Sequence, residues 1–420
     1  MEPRTERVHD ARPRILAVVS HFPMPQNHGD ALRRLMVLQS LLPLGDLTAA
    51  CVERRETTPQ DLADLSEALP GAEILTGRLT RAAGPTLVAK IVRTVAGVVR
   101  LQPPWLDQQW SAGLRSRIQR AVRERGPFDA VVFVGEASGR YASIATGGRR
   151  AWDKSNVLVG SELNALQGIR SLPARLRALA TLAFSFSFER RVLARTDVVW
   201  VTSAEEGERL RRYYRRDPSA VIPSMITPPD RVARIDPAAR VVVWVSTFSY
   251  TPNWDGLLRF LGDNATSLTE TGTIVRVAGA HASDAQERIL RAFPFVDFRG
   301  FVDDLASVFD GASAAVVPVW SGAGVKLKTL TFLAHGVPVI STEVGMEGIP
   351  HSAAAAIVRT SQDFGEVLRR LDPSELALAA ERGRRLVLDE FSPVAFERGI
   401  EAAMADLLVR DPVDERTKAV

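Results

Sequence analysis

The stretch VWSGAGVKLKTLTFLAHGVPVI, Val319 to Ile340, combines residue types suited to holding an anion. Gly322 and Gly324 stand two apart, after the strand-like run AAVVPV and before a helical run. Glycines there let backbone N–H groups come close to a bound group. Lys326 and Lys328 follow, again two apart, where that helical run starts. A helix N-terminus carries partial positive charge, so each lysine loses about 0.3–1 kcal/mol there. A bound diphosphate reverses the sign of that penalty and engages the first helix amides as well. The structural alternative is that both ammonium groups reach into water from an exposed turn.

Several other residues admit two readings. VVFVGEASGRY sets Glu136 just past a strand in a glycine-flanked turn. A carboxylate there can act as acid, base or sugar ligand, or cap the helix that follows. His21 and His28 flank the first loop, HFPMPQNHGD, where a histidine is either chemical or simply exposed. Arg33 faces either a phosphate or solvent, and Asn253, after Pro252, is placed to cap the helical run WDGLLRF. Dinucleotide, Walker A, zincin, paired-cysteine and nucleophile-elbow motifs are absent. No Asp-x-Asp occurs, so a metal-bridged nucleotide site has no obvious ligands. The single Cys51 excludes an internal disulfide and fits a reducing compartment.

Positioning these groups requires sheets. Strand-like runs RILAVVS, LTAACV, AEILTG, DAVVFVG and DVVWVTS alternate with helical patterns in the first half. RVVVWVS, TIVRVAG, VDFRGF, AAVVPV, VPVIST and AAIVRT do so in the second. That alternation predicts an α/β chain of two Rossmann-like, doubly wound parallel-sheet lobes facing a cleft. The 420-residue length agrees with two domains. The expected division is a disordered lead-in over 1–13, a lobe over 14–222, a proline-rich linker over 223–237 and a lobe over 238–391. A C-terminal helix that packs back across the lobes, with a frayed tail, completes it over 392–420. The lead-in has no apolar core, so neither a signal peptide nor an anchor is expected.

Charge is uneven. Residues 1–225 hold 33 Lys/Arg against 23 Asp/Glu, and residues 226–420 hold 20 against 26. The halves therefore carry +10 and −6. A basic first half suits an anionic acceptor or a lipid surface; arginine-rich composition by itself accounts for it equally. Residues 81–110, with Lys90, Arg93 and Arg100 among apolar residues and then Trp105 and Trp110, read as a covering helix or one lying on an anionic membrane. The arginines are scattered and no reader motif is visible, so nucleic acid is not an expected partner.

The order of motifs resembles the retaining glycosyltransferases of family 4, with GT-B architecture. VVVWVSTFSYTPNWDGLLRF, VRVAGAH, VDFRGFVDDLASVFDGASAAVVPVWSGAGVKLKTL and GVPVISTEVGMEGIP are similar to successive C-lobe segments of that family. In the first half, HFPMPQNHGDALR and WDKSNVLVGSELN resemble its first loop and a later Asp/Asn segment more loosely. The resemblance implies metal-independent transfer with retention, no cofactor, and a nucleotide sugar as donor and substrate. Lys326 and Lys328 would balance the diphosphate, beside Gly322, Ala323 and Gly324. Ser246 and Thr247 would lie near the phosphates, Phe301 and Val302 near the base, and Glu347 in the next loop. His28, Gly29, Asp30 and Arg33 would form the acceptor-side loop. The pattern's usual pair of acids is replaced by Ala323 and Thr331, whose hydroxyl can still bond a ribose. The acceptor class stays open between small molecule and lipid-linked carrier. The location implied is cytoplasmic, with peripheral contact at the inner face of a membrane. A catalytically inactive scaffold for another glycosyltransferase and a sugar-nucleotide epimerase or hydrolase are the alternatives.

Overall fold

The computed structural model describes residues 12–25, 29–79, 102–144, 146–166, 169, 171–322 and 324–409. His28, Ala323, most of the expected lead-in and the cationic part of segment 81–110 lie outside them. Contacts divide the chain into two compact units. One is the chain up to Ile222 together with Glu397 onward; the other is Pro223–Phe396.

The first unit holds a seven-stranded sheet of order β3-β2-β1-β4-β5-β6-β7. Its strands are β1 Arg14–Val19, β2 Asp46–Glu53, β3 Glu73–Arg78, β4 Ala130–Val134, β5 Arg149–Lys154, β6 Val198–Val201 and β7 Ala220–Val221. Every pairing is parallel. Strand β5 escapes a hydrophobicity reading because it is RRAWDK. Its Asp153 and Lys154 are nevertheless buried, and each is neutralised by a distant partner, Arg33 and Glu189 respectively. Glu189 also accepts from the amides of Leu158 (3.0 Å) and Val159 (3.4 Å) and from the Tyr214 hydroxyl (2.6 Å). It thus satisfies the start of the helix Leu158–Leu166, whose first amides have no intrahelical acceptor.

The second unit holds six parallel strands in the order β10-β9-β8-β11-β12-β13. They are β8 Val241–Val245, β9 Ile274–Ala278, β10 Val296–Gly300, β11 Ala314–Val317, β12 Val339–Thr342 and β13 Ala356–Val358. Side chains alternate across a strand, and here both faces are covered. Val243, Ala315, Val317 and Val339 enter one apolar cluster, and Val242, Trp244, Val316 and Ile340 enter another. Burying each valine or isoleucine contributes about 1.5–3 kcal/mol. This is why these strands read as unbroken apolar runs.

Both sheets reverse their winding direction, between β1 and β4 and between β8 and β11, and the loops after those strands flank a crevice at the strands' carboxyl ends. The helix Thr251–Asp263 descends closely on the second crevice. A Cβ at Gly256 would sit 1.9 Å from the Pro318 carbonyl oxygen, so only glycine permits that approach. Among the described residues, no helix is long and apolar enough to cross a membrane.

Candidate functional site

In the second unit the loop after β11 turns at Gly322 (φ 120°) and Gly324 (φ 77°), backbone states that side chains other than hydrogen rarely adopt. The helix that follows runs Leu327–Ala334. Lys326 is therefore the N-cap residue and Lys328 the second helical residue, so neither is a generic surface lysine. The helix start is anchored by Thr329, fully buried, whose hydroxyl donates to the Gly345 carbonyl at 2.8 Å. That contact brings in the loop after β12, and with it Glu347.

The two ammonium groups have different partners. Lys326 Nζ donates to the Gly324 carbonyl at 2.6 Å and pairs with Glu347 Oε2 at 3.2 Å; both side chains are 13% exposed. Lys328 Nζ donates to a neutral amide oxygen, Asn253 Oδ1, at 2.6 Å. Asn253 in turn donates from Nδ2 to the Thr247 carbonyl at 3.3 Å. Burial first, and the neighbouring Lys326 second, bring the Lys328 pKa down to about 7. A buried lysine lacking a carboxylate is costly to charge, and an anion in the crevice would remove that cost.

Asn253 was legible only as a helix cap. It is the third residue of the helix Thr251–Asp263 and bridges the loops after β8 and β11. Proximity to Pro252 hinted at a helix start, but nothing local could disclose a partner 75 positions away. Tyr250 is a second unanticipated neighbour: its hydroxyl lies 3.3 Å from where a Gly322 Cβ would stand.

The remaining expected donor-site residues are spread along the strand ends. The Ser246 amide donates to the Ala278 carbonyl at 3.3 Å, and the Thr247 and Ser249 hydroxyls are 2.9 Å apart. Phe301 is 70% exposed, whereas Val302 packs against the core. The Thr331 hydroxyl donates to the Leu327 carbonyl one turn back at 2.9 Å, which occupies it within its own helix.

In the first unit, Gly29, Asp30 and Arg33 belong to the helix Gly29–Leu41 and not to the loop before it. Asp30 is exposed and pairs with Arg34 at 3.3 Å. Arg33 faces neither an open loop nor solvent. It is 4% exposed, and its guanidinium grips Asp153 at 2.6 and 3.3 Å and donates to the Ile222 carbonyl at 3.0 Å. The physical reason is β5, whose buried Asp153 requires a cation. Glu136 caps no helix with its side chain; Oε1 accepts from the Asn156 amide at 2.7 Å, and burial raises its pKa. Arg34, unanticipated, is buried beside it, and burial lowers its pKa.

Residues 239–377 match the family model described as glycosyl transferases group 1. No curated protein sequence matches the chain. Solved structures do. The Anabaena Alr3699/HepE structure in complex with UDP aligns at a TM-score of 0.61 with 12% identity, over 94% of this chain and 100% of that one. A glycosyltransferase from Rickettsia africae ESF-5 aligns at 0.58 with 11% identity, over 95% and 100%. WaaG, a glycosyltransferase involved in lipopolysaccharide biosynthesis, aligns at 0.58 with 14% identity, over 94% and 100%. At these identities the likeness is one of fold: two parallel-sheet α/β lobes of the GT-B type.

Proposed function

We propose that the protein transfers a sugar from a nucleotide sugar to an acceptor hydroxyl, with retention and without a metal. The observation that carries this is the pairing of Lys326 and Lys328 with the Gly322–Gly324 turn at the second sheet's switch point. The match of residues 239–377 to a glycosyltransferase family model supports it.

In this reading the diphosphate lies against the turn and the first amides of the helix Leu327–Ala334. Negative charge grows on the diphosphate as the glycosidic bond breaks, and preorganised cations aimed at it lower the barrier. Lys328 exchanges Asn253 for a phosphate oxygen, and Lys326 shares its charge between the phosphate and Glu347. The acceptor hydroxyl attacks from the face the diphosphate leaves, and its proton passes to the departing phosphate oxygen. Two ammonium groups supply the charge that a divalent cation would otherwise bring. The first unit holds the acceptor, a small molecule or a lipid-linked carrier.

The test is a panel of nucleotide sugars scored by binding heat and by diphosphate release with and without acceptors. The Anabaena protein's complex with UDP makes UDP-sugars the first donors to try. Saturable binding with acceptor-dependent release is expected, unaffected by a chelator, and with unchanged anomeric configuration in the product. Absence of binding across the panel would end the proposal; chelator-sensitive release or an inverted product would end its finer parts.

A further inference from the structure

A cavity of about 380 Å³ opens in the first unit between the helices Ala112–Arg125 and Leu172–Leu193 and the turn Ala137–Ser143. Four arginines line it: Arg115, Arg140, Arg191 and Arg195, with Trp110 and Phe188 as apolar wall. Among the described residues, none that lines it is acidic. Its lining comes from both ends of the sheet: Arg115 follows Leu114, whose amide packs beside Gly77 near the carboxyl end of β3, and other lining groups stand near strand starts. Arg195 stands three residues before β6, and the carbonyl of Ala142, next to the lining Ser143, accepts from Arg150 at the start of β5 at 3.0 Å.

Ordinary causes account for only part of this cluster. Arg191 and Arg195 sit at a helix C-terminus, where the dipole favours cations. Arg115 is in the first turn of its helix, where the dipole opposes a cation. Arg140 is held rigidly. Its guanidinium lies 4.7 Å from the Trp110 ring centroid and donates to the Leu106 carbonyl at 2.7 Å, while Trp110 stacks on Tyr141 at 4.7 Å. Among the described residues neither Arg115 nor Arg195 has a carboxylate partner. Burial and the adjacent Arg195 both lower the Arg191 pKa, as expected where like charges converge. Planar guanidinium groups match tetrahedral oxyanions through paired hydrogen bonds, and fixing one of them in advance reduces the entropy lost on binding.

We propose that this cavity is a second anion site, separate from the donor crevice, that takes a phosphate monoester carried by a soluble metabolite or by a lipid headgroup. The inference does not depend on the donor reading. Two probes distinguish the sources: glycerol 3-phosphate in solution, and phosphatidylcholine vesicles with or without phosphatidic acid. Arg115 and Arg195 are exposed, so Arg115→Gln/Arg195→Gln should fold, as thermal melting will verify; Arg115→Gln alone is the fallback. The double variant is expected to weaken binding about tenfold or more, since each charge-assisted hydrogen bond lost is worth at least that. Lys328→Ala should leave it unchanged. Binding of glycerol 3-phosphate supports a soluble source, and binding confined to phosphatidic acid vesicles supports a headgroup. Failure of both probes to bind overturns the proposal, as does binding that survives the double variant or is lost in Lys328→Ala.

Discussion

Replacing Lys328 with methionine tests the proposed donor site most directly, because a bound diphosphate would change this lysine's charge. Its pKa of about 7 means that the free protein holds it only partly protonated at neutral pH. The protonated fraction is about nine-tenths at pH 6, half at pH 7 and one-tenth at pH 8. Each phosphate of a nucleotide sugar carries one ester and one anhydride link, leaving a single strongly acidic oxygen, so the diphosphate does not titrate in this range. If the bound state requires the ammonium form, affinity falls about tenfold from pH 6 to pH 8, with uptake of about half a proton per ligand at pH 7. Lys328→Met removes a charge-assisted bond worth about 1.5–3 kcal/mol, so at pH 6 it should bind about 10- to 150-fold more weakly. Its affinity should then be flat with pH, closing about tenfold of that gap by pH 8. Titration calorimetry with UDP-glucose, in buffers of different ionisation heat, measures both affinity and proton uptake. A wild-type affinity that is flat from pH 6 to 8, or a slope that persists in Lys328→Met, refutes the reasoning. The same shift has a signature without ligand. The unfolded lysine holds its proton up to its ordinary 10.5, so the lysine's contribution to stability should improve as pH rises from about 7 toward that value.

Three further outcomes concern the scaffold. Arg33→Ala strands the buried Asp153 carboxylate and should cost about 3–5 kcal/mol in urea unfolding; a loss under 1 kcal/mol would mean the pair is not closed in solution. Gly256→Ala forces a methyl against the Pro318 carbonyl oxygen, so it should cost at least about 1–3 kcal/mol and also weaken nucleotide-sugar binding by displacing Asn253 from Lys328; wild-type melting and affinity would contradict this. Glu162 is pushed up to about 7, chiefly by burial. The folded state therefore holds a proton that the unfolded state has released, and stability from this group falls as pH rises from about 4.5 to 7. Glu162→Gln should flatten that part of the melting profile, and an unchanged slope would assign it to other groups.

The eleven runs read from the sequence all became strands; the central ones declared themselves because a parallel strand covered on both faces is apolar throughout, while the edge strands β3 and β10 are only partly buried. The glycines and lysines of the loop after β11 are the equally local basis of the anion site proposed above. Strand β5 did not declare itself, since its buried Asp153 and Lys154 are tolerable only with Arg33 and Glu189 supplied from elsewhere in the chain. For the same reason Arg33, legible as a residue for phosphate or solvent, is occupied by the core. Alternation of strand and helix determined the fold class. The strand order that puts the β8 and β11 loops side by side, and so sets Lys328 on Asn253 and lowers its pKa, was decided by the tertiary structure alone. Desolvation and partner choice depend on what surrounds a group in space, and chain spacing carries little of that information.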